Sequence, residues 1–205
     1  MTVTLYAATT NPGKLRDFFV AAAEGGFTVE PLPNVAQIPA PAEDEFTFAG
    51  NARIKALYYS RFTSGLVLAD DSGLEVDELG GEPGVRSARF AEDAGYEPRG
   101  VPSIDARNNL YLLDRMRDRT QRTARYRCAL AVAQSGALVA TAEGIVEGEV
   151  LRAPQGAGGF GYDPLFWIPE LQRTMAEISV EQKHLVSHRG RAFRALLPAL
   201  RKLSL

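Results

Sequence analysis

The spacing of apolar and polar positions along the chain predicts strands and helices in mixed order. Two long alternating runs, 123–134 and 137–150, flank the dipeptide Ser135-Gly136 and predict a hairpin of antiparallel strands. Shorter apolar runs predict further strands over residues 3–8, 27–32, 66–69, 74–76 and 165–168. Helical spacing predicts helices over residues 14–23, 46–61 and 105–119, one that begins at Ser179 and one that begins near Ser187. This order is typical of an α/β fold whose sheet is not wholly parallel.

Composition and charge narrow the class of protein. The 205 residues are enough for one domain, with at most a modest second lobe. The hydrophobic content of 45% and the charged content of 23% are those of a globular protein. A net charge of −2 gives no electrostatic basis for broad nucleic-acid binding, so we expect no nucleic-acid partner. The chain shows no leader pattern and no apolar run near the ~18 residues of a membrane span, so we expect a cytoplasmic protein that does not enter a membrane.

The single cysteine, Cys128, excludes an internal disulfide and a cysteine metal cluster, which suits a reducing cytoplasm. It lies on the same face of an alternating run as Tyr126, Leu130 and Val132. This pattern predicts a buried core residue rather than a nucleophile.

A candidate phosphate-binding loop follows the first predicted strand. The segment Thr9-Thr10-Asn11-Pro12-Gly13-Lys14 places hydroxyl, amide and ammonium groups between a strand and the start of a helix. Backbone N–H groups at such a point, together with a lysine, can bind a polyphosphate. A Walker A loop would need glycine at position 8 and serine or threonine at position 15, where this chain has Ala8 and Leu15. The sequence therefore disfavours a P-loop NTPase, and an ordinary strand-to-helix turn is the alternative.

Two acidic segments are candidates for metal binding and base catalysis. Asp70-Asp71-Ser72-Gly73 follows a predicted strand, and we interpret it as the turn that ends this strand. Strand alternation points the two carboxylates in opposite directions, so we expect one to face a site and the other to be structural. Beside a polyphosphate, the first would bind Mg²⁺ or accept a proton from water. Glu43-Asp44-Glu45 precedes a predicted helix, where acids also favour the helix dipole, and Glu43 with Asp71 would suffice for Mg²⁺.

A glycine-rich segment, residues 156–161, matches the pattern GxGxxG. We reject a Rossmann site, because Tyr162-Asp163-Pro164 follows where a helix should begin. The glycines would instead let the backbone approach a ligand, and the Phe160 ring could stack on a nucleobase. A plain glycine-rich turn is the alternative.

Lys183, His188 and Arg189 place three potential cations near the start of the last helix. Cations are unfavourable for the dipole at that end of a helix, but they suit an anionic ligand or a purine carbonyl. His184 has no such neighbours along the chain, and we expect it at the surface.

Taken in chain order, six motifs closely resemble those of the noncanonical purine NTP pyrophosphatases, also called the inosine triphosphatase or XTP/dITP diphosphatase family. These motifs are Thr9-Thr10-Asn11-x-x-Lys14, Asp70-Asp71-Ser72-Gly73-Leu74, Leu79-Gly80-Gly81-x-Pro83-Gly84, Ser87-Ala88-Arg89, residues 158–164, and Ser187-His188-Arg189-Gly190. The resemblance extends over almost the whole chain, and the combination is specific although no single motif is.

The resemblance implies a two-lobed α/β fold with a long mixed central sheet, a cleft between the lobes that holds the active site, and a homodimer. It also implies a nucleoside triphosphate substrate: ITP, dITP or XTP, hydrolysed to the monophosphate and pyrophosphate with Mg²⁺. A non-catalytic nucleotide sensor and a pyrophosphatase for other modified nucleotides are the alternatives.

The same resemblance assigns roles to the residues. It implies that Thr9, Thr10, Asn11, Pro12, Gly13 and Lys14 bind the triphosphate. It implies that Asp71 is the catalytic base or a metal-side carboxylate, with Glu43 as the metal ligand and Ser72 in contact with substrate. Phe160, Gly161, Tyr162 and Asp163 would line the nucleoside pocket, and Lys183, His188 and Arg189 would contact phosphate and base.

Overall fold

The computed structural model describes residues 3–101 and 103–203, and in these ranges it contains seven strands and six α-helices, besides short 3-10 turns. The strands are β1 (Thr4–Ala7), β2 (Thr28–Pro31), β3 (Leu66–Val76), β4 (Thr123–Gln134), β5 (Ala137–Val150), β6 (Phe166–Ile168) and β7 (Arg173–Thr174). The helices are α1 (Pro12–Gly25), α2 (Phe48–Tyr59), α3 (Phe90–Asp93), α4 (Ile104–Arg115), α5 (Val180–Val186) and α6 (His188–Arg201). The two hairpin strands have the bounds that the sequence predicts.

The strands form one mixed sheet in the order β2-β1-β3-β4-β5-β6-β7. β1 pairs in parallel with β2 and β3, whereas β6 pairs antiparallel with β5 and β7. Ser135 and Gly136 connect β4 to β5 with φ angles of 50° and 80°, the left-handed conformations that a two-residue hairpin turn requires. The predicted α/β fold class with a mixed sheet is therefore confirmed.

The chain divides into two compact units, each formed from separate segments. The first comprises the described residues of 1–71, 127–145 and 180–205. Its core is one apolar cluster to which Leu5 of β1, Phe18 of α1, Leu130 of β4 and Phe193 of α6 contribute. Cys128 is buried in this cluster, as predicted, and burial raises the pKa of its thiol.

The second unit comprises residues 72–126 and 146–179, of which residue 102 is not described. Aromatic pairs mark its interior: the rings of Tyr126 and Phe166 lie 4.4 Å apart, and those of Phe90 and Tyr111 lie 4.7 Å apart. That the active site lies in a cleft between two lobes stays a prediction.

The predicted turn at residues 70–73 is wrong, because β3 continues through it to Val76. Gly73 is required by packing instead. A Cβ atom at this position would lie 2.3 Å from Ser87 Oγ and 2.5 Å from the Gly84 carbonyl oxygen. Ser87 Oγ also accepts a hydrogen bond from the Leu74 N–H at 2.9 Å, which fixes this approach.

The predicted surface position of His184 is also wrong. The side chain is buried, and its Nε2 lies 2.8 Å from a carboxylate oxygen of Glu24 in α1. Gly190 of α6 packs so closely on the His184 carbonyl that a Cβ atom there would overlap it. His184 is therefore part of the packing of α5 against α1 and α6.

Among the described helices, none is both long enough and apolar enough to cross a membrane.

Candidate functional site

Strand β3 positions the two adjacent carboxylates of Asp70 and Asp71. Both side chains are buried, and they have different partners, as alternation along a strand predicts. The side-chain partners described below, Lys14 and Arg189 for Asp70 and Asn51 and Lys55 for Asp71, lie in the first unit.

Asp70 is paired with two cations. The Lys14 Nζ lies 3.0 Å from Oδ1 and 2.9 Å from Oδ2, and the Arg189 Nε lies 3.7 Å from Oδ2. Burial alone would raise the pKa of Asp70, but the charges of Lys14 and Arg189 more than offset it and hold the pKa well below its ordinary value. Asp70 is thus a carboxylate at any physiological pH, and it fixes the lysine of the predicted phosphate loop.

Arg189 and His188 lie at the start of α6, where the Ser187 side chain accepts a hydrogen bond from the Gly190 N–H. Arg189 is buried and also pairs with Asp17, at 3.3 Å. Burial, with Arg189 and Lys183 nearby, holds the pKa of His188 well below its ordinary value. The imidazole is therefore neutral at pH 7.

Asp71 faces a different set of groups, supplied by α2 and the acidic stretch before it. Its Oδ2 accepts a hydrogen bond from the Asn51 side-chain amide at 3.0 Å, and its Oδ1 lies 3.5 Å from the Lys55 ammonium. Lys55 also lies 2.7 Å from Glu43 Oε2. Burial raises the pKa of Asp71 above its ordinary value, although Lys55 and Asn51 act in the opposite direction.

Lys55 carries its charge in a buried position. Burial by itself would lower its pKa, but the carboxylates of Asp71, Asp70 and Glu43 raise the pKa above its ordinary value. One ammonium therefore links the two side chains that the sequence predicts as metal ligands, Glu43 and Asp71.

Sequence reasoning missed Asn51 and Lys55. Both lie on the buried side of α2 next to the apolar stripe of Phe48, Ala52 and Ala56. An asparagine and a lysine four residues apart beside an apolar stripe were the available signal, because such side chains are costly to bury without partners.

The predicted phosphate loop is held by its own side chains. Asn11 caps α1, and its side-chain oxygen accepts hydrogen bonds from the N–H groups of Gly13 and Lys14 at 2.8 and 3.1 Å. The Asn11 N–H is bonded to Thr9 Oγ1 at 3.1 Å, and Pro12 has no N–H group. The N–H groups of Gly13 and Lys14 are therefore bonded to the Asn11 side chain, and phosphate binding by this loop stays a prediction.

A pocket of about 490 Å³ opens in the first unit beside this loop. Its lining includes Thr9, Thr10, Lys14, Glu43, Lys55 and Asp70. The structure thus brings the predicted phosphate loop and the predicted metal ligand Glu43 to one cavity.

Two further residues of the predicted site, Lys183 and Ser72, differ in how deeply they are buried. Lys183 of α5 is buried, and Ser72, the first residue of the second unit, is half-buried in β3.

The glycine-rich segment belongs to the second unit. Phe160 is half-buried, whereas the side chains of Tyr162 and Asp163 are buried. The Tyr162 hydroxyl donates to the Ser87 carbonyl at 2.8 Å, and Asp163 accepts from the Phe160 N–H at 3.0 Å and from the Tyr126 hydroxyl at 3.2 Å. These two side chains anchor the segment, and contact of the Phe160 ring with a nucleobase stays a prediction.

Known proteins resemble this chain over almost its whole length. The sequence model of the Ham1 family matches residues 5–199. A dITP/XTP pyrophosphatase of Acidobacterium capsulatum is 60% identical over 98% of this chain and 99% of that protein. A dITP/XTP pyrophosphatase of Desulforamulus reducens is 44% identical over 97% of this chain and 96% of that protein. Among solved structures, the Ham1 protein of Staphylococcus aureus matches with a TM-score of 0.80 and 34% identity, over 98% of this chain and 99% of that one.

Proposed function

This chain belongs to the Ham1 family, and we propose that it hydrolyses ITP, dITP and XTP to the nucleoside monophosphate and pyrophosphate. The observation that carries the proposal is the cluster in which Glu43 and Asp71 share the Lys55 ammonium, beside the pocket that contains Lys14. Paired acids and ammonium groups suit hydrolysis of a phosphate anhydride, where charge must be neutralised and water activated. The activity removes deaminated purines from the nucleotide pool.

Asp71 is the general base of the reaction. Asn51 holds its Oδ2 at 3.0 Å, whereas the Lys55 ammonium lies 3.5 Å from Oδ1, so Oδ1 is the less tightly held oxygen and accepts a proton from the attacking water. The water oxygen forms a bond to the α-phosphorus, the bond from this phosphorus to the bridging oxygen breaks, and pyrophosphate leaves. Since burial raises the pKa of Asp71, it is a stronger base than an exposed aspartate.

The carboxylates of Glu43 and Asp71 fit Mg²⁺. Both approach one nitrogen atom of Lys55, at 2.7 and 3.5 Å, so a single cation can contact both. The described residues contain no cluster of three or more His, Cys, Asp or Glu side chains that could hold a metal. Mg²⁺ needs only one or two carboxylates when phosphate oxygens and water complete its coordination. Bound there, Mg²⁺ supplies positive charge to the phosphate oxygens.

The triphosphate is bound by the hydroxyl groups of Thr9 and Thr10 and by the ammonium of Lys14. Asp70 holds this ammonium in place, so its position is fixed before substrate arrives. A preorganised charge of this kind stabilises the developing pyrophosphate without a reorganisation cost during the reaction.

Selection of the base depends on donors directed at the 6-oxo group of hypoxanthine or xanthine. Lys183, His188 and Arg189 are the candidate donors. Adenine carries an amino group at this position, so a donor of the protein would meet another donor and lose its hydrogen bond. One buried group left unpaired costs about 1–3 kcal/mol, so two such contacts reject ATP strongly.

The chain acts as a homodimer in the cytoplasm, where the nucleotide pool is found. Light scattering on the purified protein is expected to give twice the mass of one chain, and the mass of a single chain would contradict the dimer.

The direct test incubates the protein with ITP, XTP, GTP and ATP, with and without Mg²⁺, and identifies the products by chromatography. We expect monophosphate and pyrophosphate from ITP and XTP, only with Mg²⁺. Tight binding of ITP without turnover would instead indicate a nucleotide sensor.

A further inference from the structure

The backbone of Gly161 is held on both sides by one face of α4. Asp105 Oδ2 accepts a hydrogen bond from the Gly161 N–H at 2.7 Å, and Asn109 Nδ2 donates to the Gly161 carbonyl at 3.0 Å. Asp105 and Asn109 are four residues apart, so their side chains are neighbours on the helix surface. All three residues belong to the second unit.

Neither side chain is needed in this position by the helix itself. The N-cap of α4 is Ser103, whose hydroxyl accepts from the Ala106 N–H, so the Asp105 carboxylate is left to contact the loop. Asn109 turns its amide nitrogen to Gly161, and its buried Oδ1 then finds no hydrogen-bond partner among the described residues. A buried polar atom without a partner is unfavourable, so the bond to Gly161 is what explains this orientation.

The conformation of Gly161 is not fixed by packing of the residue itself. It adopts a φ angle of 63°, and a Cβ atom there would meet nothing within 4 Å, so side-chain packing does not define the peptide. The next two residues are anchored to Ser87 and Tyr126 through the buried Tyr162 and Asp163. The Phe160 N–H is bonded to Asp163 at 3.0 Å, so the Gly161 peptide on its other side is what completes the orientation of the half-buried Phe160.

We infer that Asp105 and Asn109 are positioning residues that hold the Gly161 peptide and, through it, set Phe160 in the orientation that binds the nucleoside. This inference rests on the proposed function, in which Phe160 contacts the base. The triphosphate contacts of Thr9, Thr10 and Lys14 belong to the first unit and do not depend on this clamp.

The test compares Asn109→Ala and Asp105→Ala with the wild-type protein. Losing one hydrogen bond to the loop is expected to raise KM for ITP by about tenfold, with kcat changed less than twofold. The dissociation constant of inorganic tripolyphosphate, which has no nucleoside, is expected to stay the same. Asp105→Asn keeps an acceptor oxygen and is expected to restore KM.

Asp114→Ala is the matched control, because Asp114 is an exposed aspartate of the same helix that pairs with Arg117 instead of the loop. It is expected to leave KM unchanged. Thermal unfolding of each variant separates a loss of the clamp from a loss of the fold. If KM for ITP and the tripolyphosphate constant rise by the same factor, or if KM does not change, the inference is overturned.

Hydrogen–deuterium exchange of a peptide that covers Gly161 needs no substrate and separates the clamp from the proposed function. Without nucleotide, Asp105→Ala is expected to speed exchange of the Gly161 amide by roughly tenfold, since its hydrogen bond is lost. Unchanged exchange would overturn the clamp even in an active enzyme. If Asp105→Ala exchanges faster but the wild-type protein does not hydrolyse ITP, the clamp is confirmed. The proposed function would then be wrong, and with it the role of the clamp in nucleoside binding.

Discussion

Lys55 lies at the position that we propose for the divalent cation. Its ammonium is 2.7 Å from Glu43 and 3.5 Å from Asp71, so Mg²⁺ has to displace a positive charge from the two carboxylates. The incoming triphosphate offers that ammonium another anion. Metal binding is thereby linked to nucleotide binding by simple electrostatics.

Lys55→Met tests this competition. With the ammonium removed, we expect the affinity for Mn²⁺ without nucleotide to rise by about tenfold, or about 1.4 kcal/mol, as measured by electron paramagnetic resonance of the free ion. Lys14→Met is the matched control, because Lys14 lines the same pocket but pairs with Asp70. An unchanged or weaker Mn²⁺ affinity in Lys55→Met would show that Lys55 does not compete with the metal.

Asp71→Asn removes the base while keeping the shape of the side chain, and an amide oxygen can still accept from Asn51. We expect kcat for ITP to fall by about 10²–10⁴-fold with little change in the thermal unfolding temperature. Asp44→Asn, at an exposed acid next to Glu43, serves as the control and is expected to keep full activity. Near-normal turnover in Asp71→Asn would remove Asp71 from the mechanism.

Single residues also show where the sequence was sufficient and where it was not. Asp70 and Asp71 could be singled out from the sequence because two adjacent acids at a strand end are hard to explain by folding alone, and the catalytic role of Asp71 stays a prediction. Lys55 was missed, because a lysine in a helix usually extends into water, and although its place beside an apolar stripe was a signal, its partners are acids 12 and 16 positions away in the chain. The cap that the Asn11 side-chain oxygen provides for α1 was not predicted, and phosphate binding by Asn11 stays a prediction.

At the scale of elements, β3 differs most from its prediction. A glycine after two aspartates is typical of a turn, but here the strand continues and Gly73 makes room for Ser87 and Gly84. That approach is a tertiary contact and leaves no local pattern in the sequence. The hairpin strands β4 and β5 were predictable because alternation and the Ser135-Gly136 turn are both local signals.

Gly73→Ala is therefore expected to destabilise the fold, since its methyl group would overlap the Ser87 hydroxyl and the backbone of Gly84. We expect the free energy of unfolding, measured by urea denaturation, to fall by about 1–3 kcal/mol. A change below about 0.5 kcal/mol, the usual range for surface substitutions, would show that this strand is not tightly packed there.

The start of α6 makes stability depend on pH through His188. Its pKa is held well below the ordinary 6.5, so the unfolded chain binds a proton at a higher pH than the folded protein does. The contribution of His188 to the free energy of unfolding is fully present above pH 6.5. It is lost as the pH drops below this value, with a slope that corresponds to at most one proton. His188→Gln is expected to reduce this slope in urea denaturation between pH 5 and about 7, and an unchanged slope would assign it to other groups.

At the scale of the whole molecule, the chain builds each compact unit from separate segments. The first unit contains the acids, the lysines and the phosphate loop, and the second contains Phe160 and its anchors. Periodicity indicated the elements but not this division, because it depends on long-range contacts. The order of six motifs carried the resemblance to a family, and the match of residues 5–199 to the Ham1 family confirms it.

In the mechanism that we propose, water attacks the α-phosphorus of a deaminated purine triphosphate. Hydrolysis of ITP in ¹⁸O-labelled water, with mass spectrometry of both products, tests it most directly. Attack on the α-phosphorus puts one ¹⁸O atom in the monophosphate and none in the pyrophosphate. Label in the pyrophosphate would place the attack on the β-phosphorus, and labelled orthophosphate with unlabelled IDP would place it on the γ-phosphorus; either result would contradict the assignment of Asp71 and the phosphate loop.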